Sequence, residues 1–288
     1  MSDKDIILAF DTSNYTTSVA ILTSHGDLLG NLKRPLSVKE GARGLRQSDA
    51  VFLHTVNIPE LMRDAAPIIS KGRIVAVGVS ERPRNQEGSY MPCFLAGVSA
   101  AEAVSSALGV PLYRFSHQCG HIMAAIYSSG AFDVLNGDFM AFHISGGTTE
   151  LVHVIPQKHA FSAEIIGGTK DLNAGQVIDR IGVKMGLPFP AGSHVERLAL
   201  ENTKKIPRKK ISRQDTYLNL SGLENMALKL YDETSDERLV CAFVLDYIGR
   251  ALCEITDVMF KEYGEKKAYL CGWSYVQFRD KEYDFGKI

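Results

Sequence analysis

Several features that would assign this chain to a special class are scarce or missing. The 288 residues include five cysteines, and no two of them form a CxxC pair, so neither a zinc ribbon nor a disulfide framework is indicated. No apolar run approaches the roughly 20 residues of a membrane span, and no charged leader precedes the first apolar run. The net charge of −1 requires any nucleic-acid contact to use a local basic patch or a partner protein. We therefore expect a cytoplasmic globular protein with reduced cysteines and no membrane contact.

What the sequence does contain is one hairpin pattern written twice. Residues 6–22 read IILAFDTSNYTTSVAIL, and residues 139–155 read FMAFHISGGTTELVHVI. Each copy has an apolar strand, a turn of small and hydroxyl residues, and a second strand. Three hydroxyl positions match at one offset of 132 residues (13 to 145): Ser13 with Ser145, Thr16 with Thr148, and Thr17 with Thr149. Two ordinary hairpins would explain the apolar alternation, but the polar matches favour duplicated half-domains that share a nucleotide.

The order of predicted elements supports duplication. Three strands, a helix, a strand, a helix and a strand fill the first half, and the second half begins again with three strands and a helix. We predict an α/β protein of the actin/Hsp70/sugar-kinase class, with two half-domains around a nucleotide cleft. The first would comprise residues 1–116 with about 236–288, and the second residues 117–235. A doubly wound dinucleotide fold is the alternative, but its GxGxxG motif is absent.

The second turn, Ser145 to Thr149, has the composition of a phosphate-binding turn. Gly146 and Gly147 let a backbone approach an anion closely and permit unusual dihedral angles. Hydroxyl groups flank both glycines. The sequence predicts an anion site here.

His117 and His121 lie in the motif HQCGH. If they begin a helix, their i, i+4 spacing puts both imidazoles on one face, where they can share a metal ion. A peptidase of the HExxH type would need glutamate at the second position, and Gln118 cannot act as a general base. Two histidines are also too few for a complete catalytic metal site, and a pair of packed or surface histidines is the alternative.

Two acidic residues and a turn accompany the next helix. Asp171 and Asp179 stand in and around DLNAGQVIDR, where a carboxylate can bind a ribose hydroxyl. Alternatively, Asp171 serves as an N-terminal helix charge and Asp179 as a surface ion-pair partner. Gly192, in the turn PAGS, either lets a sugar or base lie against the backbone or simply opens a helix.

The stretch KKIPRKK, residues 204–210, carries five positive charges, with Arg213 close behind. It is either a solvated loop between helices or a basic arm that contacts RNA phosphates.

Together these motifs resemble the tRNA threonylcarbamoyladenosine synthase (TsaD-like) family, also called the glycoprotease or O-sialoglycoprotein endopeptidase family. The resemblance runs over about residues 5–279. FDTSNYTTSVAIL looks like the first phosphate motif of the family, HQCGH like its HxxGH metal motif, and HISGGTTELV like its second phosphate motif. AGQVIDRIGVKMGLPFPAG is similar to the nucleotide-binding segment, and LNLSGLENM to the FSGL segment.

The resemblance implies a reaction and its residues. The family transfers a threonylcarbamoyl group from threonylcarbamoyl-adenylate to N6 of an adenosine beside the tRNA anticodon. By resemblance, Asp11 and Ser13 are catalytic, and His117 and His121 hold one divalent metal ion per chain, iron or zinc. The implied substrate and nucleotide contacts are His143, Ile144, Ser145, Gly146, Gly147, Asp179, Gly192, Glu196 and Gln277. The implied partners are tRNA, threonylcarbamoyl-adenylate and either proteins of the threonylcarbamoylation machinery or a paralogous actin-like subunit.

The chain departs from the family pattern in three places. Asp11 stands where the family motif ETSCDETS has glutamate, and Asn14-Tyr15-Thr16 replace its Cys-Asp-Glu. Gln277 stands where the late GGVxxN motif has asparagine. The family also continues, past the position of Ile288, into a segment with an aspartate that serves as third metal ligand. We therefore expect weaker metal binding and reduced activity.

Three functions remain open on this sequence. The first is an active threonylcarbamoyltransferase. The second is a non-catalytic paralogue that keeps nucleotide binding and acts as a scaffold or dimerisation partner. The third is a metallopeptidase, against which Gln118 argues.

Overall fold

The computed structural model describes residues 5–13, 15–37, 45–144, 146–158, 160–264, 268–272, 275–279 and 282–286, with side chains to residue 264. The chain divides into two compact units, residues 1–120 and 121–288. The boundary falls inside one helix, which begins at His117.

Unit 1 is a five-stranded sheet with two covering helices. In chain order its elements are β1 (Asp5–Asp11), β2 (Thr16–Thr23), β3 (Leu28–Pro35), α1 (Gln47–Ile69), β4 (Arg73–Arg82), α2 (Phe94–Leu108) and β5 (Leu112–Ser116), followed by α3 (His117–Ser129). Every second residue of β1 is buried, and these residues pack with residues of α1, α2 and β4 in one apolar core.

Unit 2 contains an eight-stranded sheet with helices on both faces. After α3 come a short 3-10 helix (Phe132–Asn136), β6 (Phe139–Ile144), β7 (Thr149–Pro156), β8 (Phe161–Thr169), α4 (Ala174–Lys184), α5 (Gly192–Leu200), β9 (Arg213–Gln214), β10 (Tyr217–Leu218), α6 (Ser221–Thr234), α7 (Glu237–Tyr263), β11 (Ala268–Gly272), β12 (Tyr275–Arg279) and β13 (Glu282–Gly286).

The two sheets share one strand order. In unit 1 it is β3-β2-β1-β4-β5, and in unit 2 β8-β7-β6-β11 occupy the first four equivalent places. Both sheets pair the first strand with the second antiparallel and with the fourth parallel. This is the duplicated actin/Hsp70/sugar-kinase-like α/β fold expected from the sequence. The copies differ at the next strand, since β5 runs parallel to β4 whereas β12 runs antiparallel to β11.

Strand β6 is buried on both faces because helices cover both sides of the second sheet. Met140 and Phe142 pack into the core formed with α4 to α7. Phe139 and Ala141 pack into a second core with residues of α3. Successive side chains of a strand point to opposite faces, so His143 at the end of β6 lies on the α3 side.

The structure places residues 236–286 in unit 2, whereas the sequence analysis grouped about 236–288 with the first half-domain. Helix α7 carries thirteen buried residues, and many of them share a core with α4, α5 and α6. Strand β11 extends the second sheet through its pairing with β6. The sequence predicts the strand and the helix of this region, but it does not indicate which elements they pack against. Those packing partners decide to which unit the region belongs.

The cysteines in the described part of the chain are thiols and not disulfides: Cys93, Cys119, Cys241 and Cys253. Burial, and next the charge of Glu237, raise the pKa of the Cys241 thiol to about 12. Such a thiol stays protonated and behaves as a small apolar core residue. Across the described residues, no helix is both long and apolar enough to cross a membrane.

Candidate functional site

The first predicted turn, which follows β1, is held in place by α2. The Thr12 hydroxyl donates to the backbone oxygen of Cys93 (3.0 Å) and accepts from the Gly97 backbone N–H (3.1 Å). A Cβ atom at Gly97 would lie 2.8 Å from the Thr12 Oγ1 atom, so glycine is required for this close approach. The Ser13 backbone N–H donates to Asp11 Oδ1 (2.9 Å). The turn is therefore fixed before any ligand binds.

Asp11 and His117, predicted as a catalytic residue and a metal ligand, form a pair. His117 Nδ1 and Asp11 Oδ2 are 2.8 Å apart. Burial raises the pKa of Asp11, but the hydrogen bond and charge of His117, with bonds from Ser13 and Ser80, outweigh burial and hold that pKa well below its usual range. The carboxylate stays ionised and orients the imidazole, as carboxylates do behind metal-binding histidines.

His121 and His143 meet within unit 2. Their ring centroids are 5.1 Å apart and the rings are tilted by 34°. His143 pairs across the sheet with Glu150, and His143 Nδ1 lies 4.0 Å from Glu150 Oε2. Sequence reasoning gave no role to Glu150. Its register opposite His143, on the second strand of the repeated hairpin, could have pointed to it.

The side chains test the predicted metal site only in part. His117 and His121 both lie on α3, one helical turn apart, and the Asp11 contact orients the first imidazole. However, the described part of the chain holds no group of three or more His, Cys, Asp or Glu side chains that could bind a metal ion. A metal ion held by His117 and His121 therefore stays a prediction.

The second turn leaves space for an anion beside its glycines. A Cβ atom at Gly146 or at Gly147 would meet nothing within 4 Å. The sequence analysis noted that these glycines permit unusual dihedral angles, and neither uses a φ in the left-handed region. Ser145 lies outside the described residues, and Ile144 is half-buried against the large core of unit 2.

Helix α4 begins against this second turn. The Asn173 side-chain amide donates to the Gly147 backbone oxygen (2.9 Å), and the Ala174 backbone N–H donates to Thr149 Oγ1 (2.8 Å). Asn173 and Gln176 form a capping box. The positive end of the helix dipole therefore lies next to the open glycines, which favours a bound anion.

The structure brings Asp179 and Gly192 together and leaves Glu196 apart. Asp179 Oδ1 accepts from the Ala191 backbone N–H (2.8 Å), directly before α5 begins at Gly192. Asp179 thus holds the start of α5, which corrects the surface ion-pair alternative. Glu196 is exposed on α5. Gln277 lies in β12 opposite Tyr269 and Asp284, and its side chain is outside the described part.

Asp171 holds the start of a helix other than its own. Its carboxylate accepts from the backbone N–H groups of Leu220 (2.7 Å) and Ser221 (3.1 Å) and from the Ser221 hydroxyl (2.6 Å). The sequence analysis allowed an N-terminal charge for Asp171, but the helix concerned is α6, about fifty residues further along the chain. No local pattern could have indicated this contact.

Comparison with known proteins identifies relatives over most of the chain. The family model for tRNA N6-adenosine threonylcarbamoyltransferase (TsaD) matches residues 43–283. A protein of that name from Streptococcus suis (strain 05ZYH33) is 32% identical over 236 residues, which cover 80% of this chain and 66% of the relative. One from Lacticaseibacillus casei (strain BL23) is 29% identical over 284 residues, covering 94% of this chain and 80% of the relative. The chain thus matches less than two thirds of the length of the Streptococcus relative.

A solved structure shares the fold. The crystal structure of HypF from T. kodakarensis superposes with a TM-score of 0.60 at 11% identity, covering 94% of this chain and 41% of that one. At this identity the similarity concerns the fold alone.

Proposed function

The chain belongs to the tRNA N6-adenosine threonylcarbamoyltransferase family, and from that premise we propose that it transfers a threonylcarbamoyl group from threonylcarbamoyl-adenylate to N6 of a tRNA adenosine beside the anticodon. The supporting observation is the second turn, where open space beside Gly146 and Gly147 adjoins the start of α4. Such an arrangement suits the phosphate of an adenylate.

In this reaction the adenosine N6 attacks the carbamoyl carbon, a C–N bond forms, and the bond from that carbon to the phosphate oxygen breaks. AMP leaves with the electron pair of the broken C–O bond, and the proton lost by N6 passes to solvent water. The second turn would hold the phosphate, and Asp179 would position Gly192 beside the nucleoside through its bond to Ala191. These contacts bind and orient the reactants, which is where much of the rate acceleration of group transfer arises.

Asp11 would act as a positioning residue. Its lowered pKa makes its carboxylate a poor proton acceptor. Its contact with His117 fixes one imidazole of the HQCGH motif. Ser13, whose backbone N–H donates to Asp11, stays a predicted catalytic residue.

His117 and His121 would hold the divalent metal ion, iron or zinc, that we propose as cofactor. Bound there, it would polarise the carbonyl and stabilise the negative charge that develops on it. Partner proteins of the threonylcarbamoylation machinery belong to the same proposal.

Calorimetric titration with a non-hydrolysable threonylcarbamoyl-adenylate analogue, with and without Zn²⁺ or Fe²⁺, tests this function. We expect binding that strengthens with metal and is lost in the His117→Ala/His121→Ala variant, but not in His25→Ala, which alters an exposed turn outside the site. Metal-independent binding, or none, would contradict the metal-assisted transferase.

A non-catalytic scaffold is the second candidate. It is favoured by the lack of a third protein ligand among the described side chains. If the His117→Ala/His121→Ala variant still binds partner proteins, and neither the variant nor the wild type modifies tRNA, the protein is a scaffold and not a transferase. The peptidase is not proposed, because Gln118 is a buried amide and cannot serve as general base.

A further inference from the structure

One cationic stretch plays no part in the site described above. Six Lys and Arg residues fall within residues 204–213, which we call the basic segment, and no acidic residue occurs from 202 to 214. The cations are Lys204, Lys205, Arg208, Lys209, Lys210 and Arg213. The segment connects α5 to the short strand β9 and forms neither helix nor strand before residue 213.

The backbone of the basic segment is nevertheless fixed to unit 2. Ile211 is buried in the large core, and Ile206 packs against it. The Ser212 backbone N–H donates to the Tyr247 hydroxyl (3.0 Å), and Arg250 donates to the Lys209 backbone oxygen (3.0 Å). Apolar anchors and hydrogen bonds to α7 thus hold an extended run of chain on the surface. A partner would meet this segment already ordered, which reduces the entropy lost on binding.

The cations at the two ends of the segment form ion pairs with other elements of unit 2, whereas no ion pair of the described residues involves those in the middle. Lys204 Nζ lies 2.7 Å from Asp236 Oδ2, and Arg213 Nε lies 3.1 Å from Glu254 Oε2. Between them are four exposed cations that have no ion pair within the described residues: Lys205, Arg208, Lys209 and Lys210. Like charges this close in the chain repel one another, and an anionic partner would relieve that repulsion.

A groove beside the segment adds to the cationic surface. Its volume is about 430 Å³, and its lining includes Lys209 of the segment, Lys229 and Glu233 of α6, and Phe243 of α7. Lys229 lies 3.8 Å from Glu233 on the same helix, so it is already partly neutralised. The four middle cations remain the main source of positive potential.

We propose that the basic segment binds the phosphate backbone of tRNA. Four cations spread over Lys205 to Lys210 occupy about 17 Å of extended chain, which suits the regularly charged backbone of a nucleic acid. The contact would supply sequence-independent affinity and would position the adenosine. This inference rests on the proposed function for the identity of the RNA.

Replacing all four middle cations by glutamine tests the proposal, because glutamine keeps most of the side-chain stem. The variant is K205Q/R208Q/K209Q/K210Q. The matched control, K33Q/K71Q/K158Q/K261Q, removes four exposed lysines that are scattered over the chain and lack ion pairs within the described residues. Both variants lose four charges, so net charge alone cannot separate them. Thermal unfolding shows whether each is folded, and the four single substitutions replace the quadruple variant if it is not.

Binding of unmodified tRNA is measured by fluorescence anisotropy between 50 and 200 mM salt. We expect the segment variant to bind at least tenfold more weakly than wild type and its plot of log K against log salt to flatten by about 3, since each phosphate contact contributes about 0.7 to 0.9 to the slope. We expect the control variant to stay within about threefold of wild type. Equal losses in both variants, or no loss in the segment variant, would overturn the proposal.

Two further measurements separate this proposal from the function. Polyglutamate is added as a competitor of labelled tRNA. If it displaces the tRNA as strongly as unlabelled tRNA does, the segment binds acidic proteins and the proposal that it binds RNA is overturned. Threonylcarbamoyl transfer to tRNA is assayed in parallel. If the segment variant binds tRNA normally and the wild-type protein is active in transfer, only the proposal for the basic segment is refuted. If the segment variant loses tRNA binding and the wild-type protein shows no transfer, only the proposed transferase function is refuted.

Discussion

Single carboxylates organise much of the candidate site by holding backbone N–H groups that a helix leaves unpaired. Asp171 does so for α6 and Asp179 for α5. Asp179 lies in the segment that resembles the nucleotide-binding part of the family, and Asp171 lies just before that segment. A carboxylate engaged with protein donors is less available to a ribose, so we assign Asp171 to structure. Asp179 acts on the nucleoside through Gly192 only within the proposed function.

We predict that Asp171→Ala destabilises the protein by about 1 kcal/mol, near the low end for a lost helix cap because the side chain is exposed. Burial raises the pKa of Asp171, but bonds from Ser221, Leu220 and Leu172 bring it to about 2. The folded state therefore holds the proton less tightly than the unfolded chain. The stabilisation is complete above the ordinary pKa of about 4 and falls as the pH drops towards 2.

Urea unfolding of wild type and Asp171→Ala at several pH values measures this effect. The difference in unfolding free energy should shrink between pH 4 and 2. Asp257→Ala, on an exposed position of α7 without a bond among the described residues, serves as control. A difference that persists unchanged at the lowest pH would contradict the role of the ionised carboxylate.

A second prediction for a single residue concerns Asp11. Asp11→Ala should lower transfer activity by about 10- to 100-fold, the usual cost of removing a carboxylate behind a metal-binding histidine. Weakened metal binding should accompany the loss. Asp64→Asn, on the exposed surface of α1, should behave like wild type. Loss of activity in Asp11→Ala with unchanged metal affinity would assign Asp11 a direct chemical role.

At the scale of elements, the repeated hairpin explains why helices attach where they do. Thr17 and Thr149 stand at equivalent positions, and each hydroxyl bonds to the helix that follows the third strand of its unit. Thr17 Oγ1 contacts His54 Nδ1 of α1 (2.8 Å), and Thr149 Oγ1 accepts from the first residue of α4. The equivalence was visible in the sequence as a match of hydroxyl residues, but the bonds were not.

Helices α4 and α5 approach closely because Gly182 lacks a side chain. A Cβ atom there would overlap that of Ala191. We predict that Gly182→Ala destabilises the protein by about 1 to 3 kcal/mol, as overpacking does, and weakens adenylate binding because α5 begins next to Ala191. Gly222→Ala, in open space on α6, should be neutral or slightly stabilising. Thermal unfolding of both variants is decisive, and similar shifts in both would exclude a packing cause.

Sequence patterns predicted the elements well where periodicity and hydroxyl-rich turns are local. The strands of both hairpins, the helix from His117 and the long α7 all follow from apolar spacing and turn chemistry. Long-range pairings did not follow: the Asp11–His117 contact joins residues 106 positions apart, and β11 adds to the second sheet rather than the first. Such contacts depend on three-dimensional packing that one sequence does not encode in any short window.

At the scale of the whole molecule, each unit has apolar cores of its own. Leu8 belongs to the core of unit 1 and Leu223 to the large core of unit 2, and both are fully buried. Truncation of either to alanine should cost about 2 to 5 kcal/mol. We predict that each cost is local to its unit.

Hydrogen exchange followed by mass spectrometry measures where each variant opens. Leu8→Ala should accelerate exchange in β1, β2 and β4 while α7 stays protected, and Leu223→Ala should do the reverse. Acceleration throughout the chain in both variants would show that the two units open as one cooperative body.

The repeated hairpin has a consequence for how such a protein can specialise. Asp11 and His143 stand at the same place in the two copies, and His117 and His121 of one helix contact them respectively. In a homodimer of identical halves, two-fold symmetry would force the same residue into both places. A single polypeptide is free of that constraint, so one strand end can carry a carboxylate while the equivalent strand end carries an imidazole.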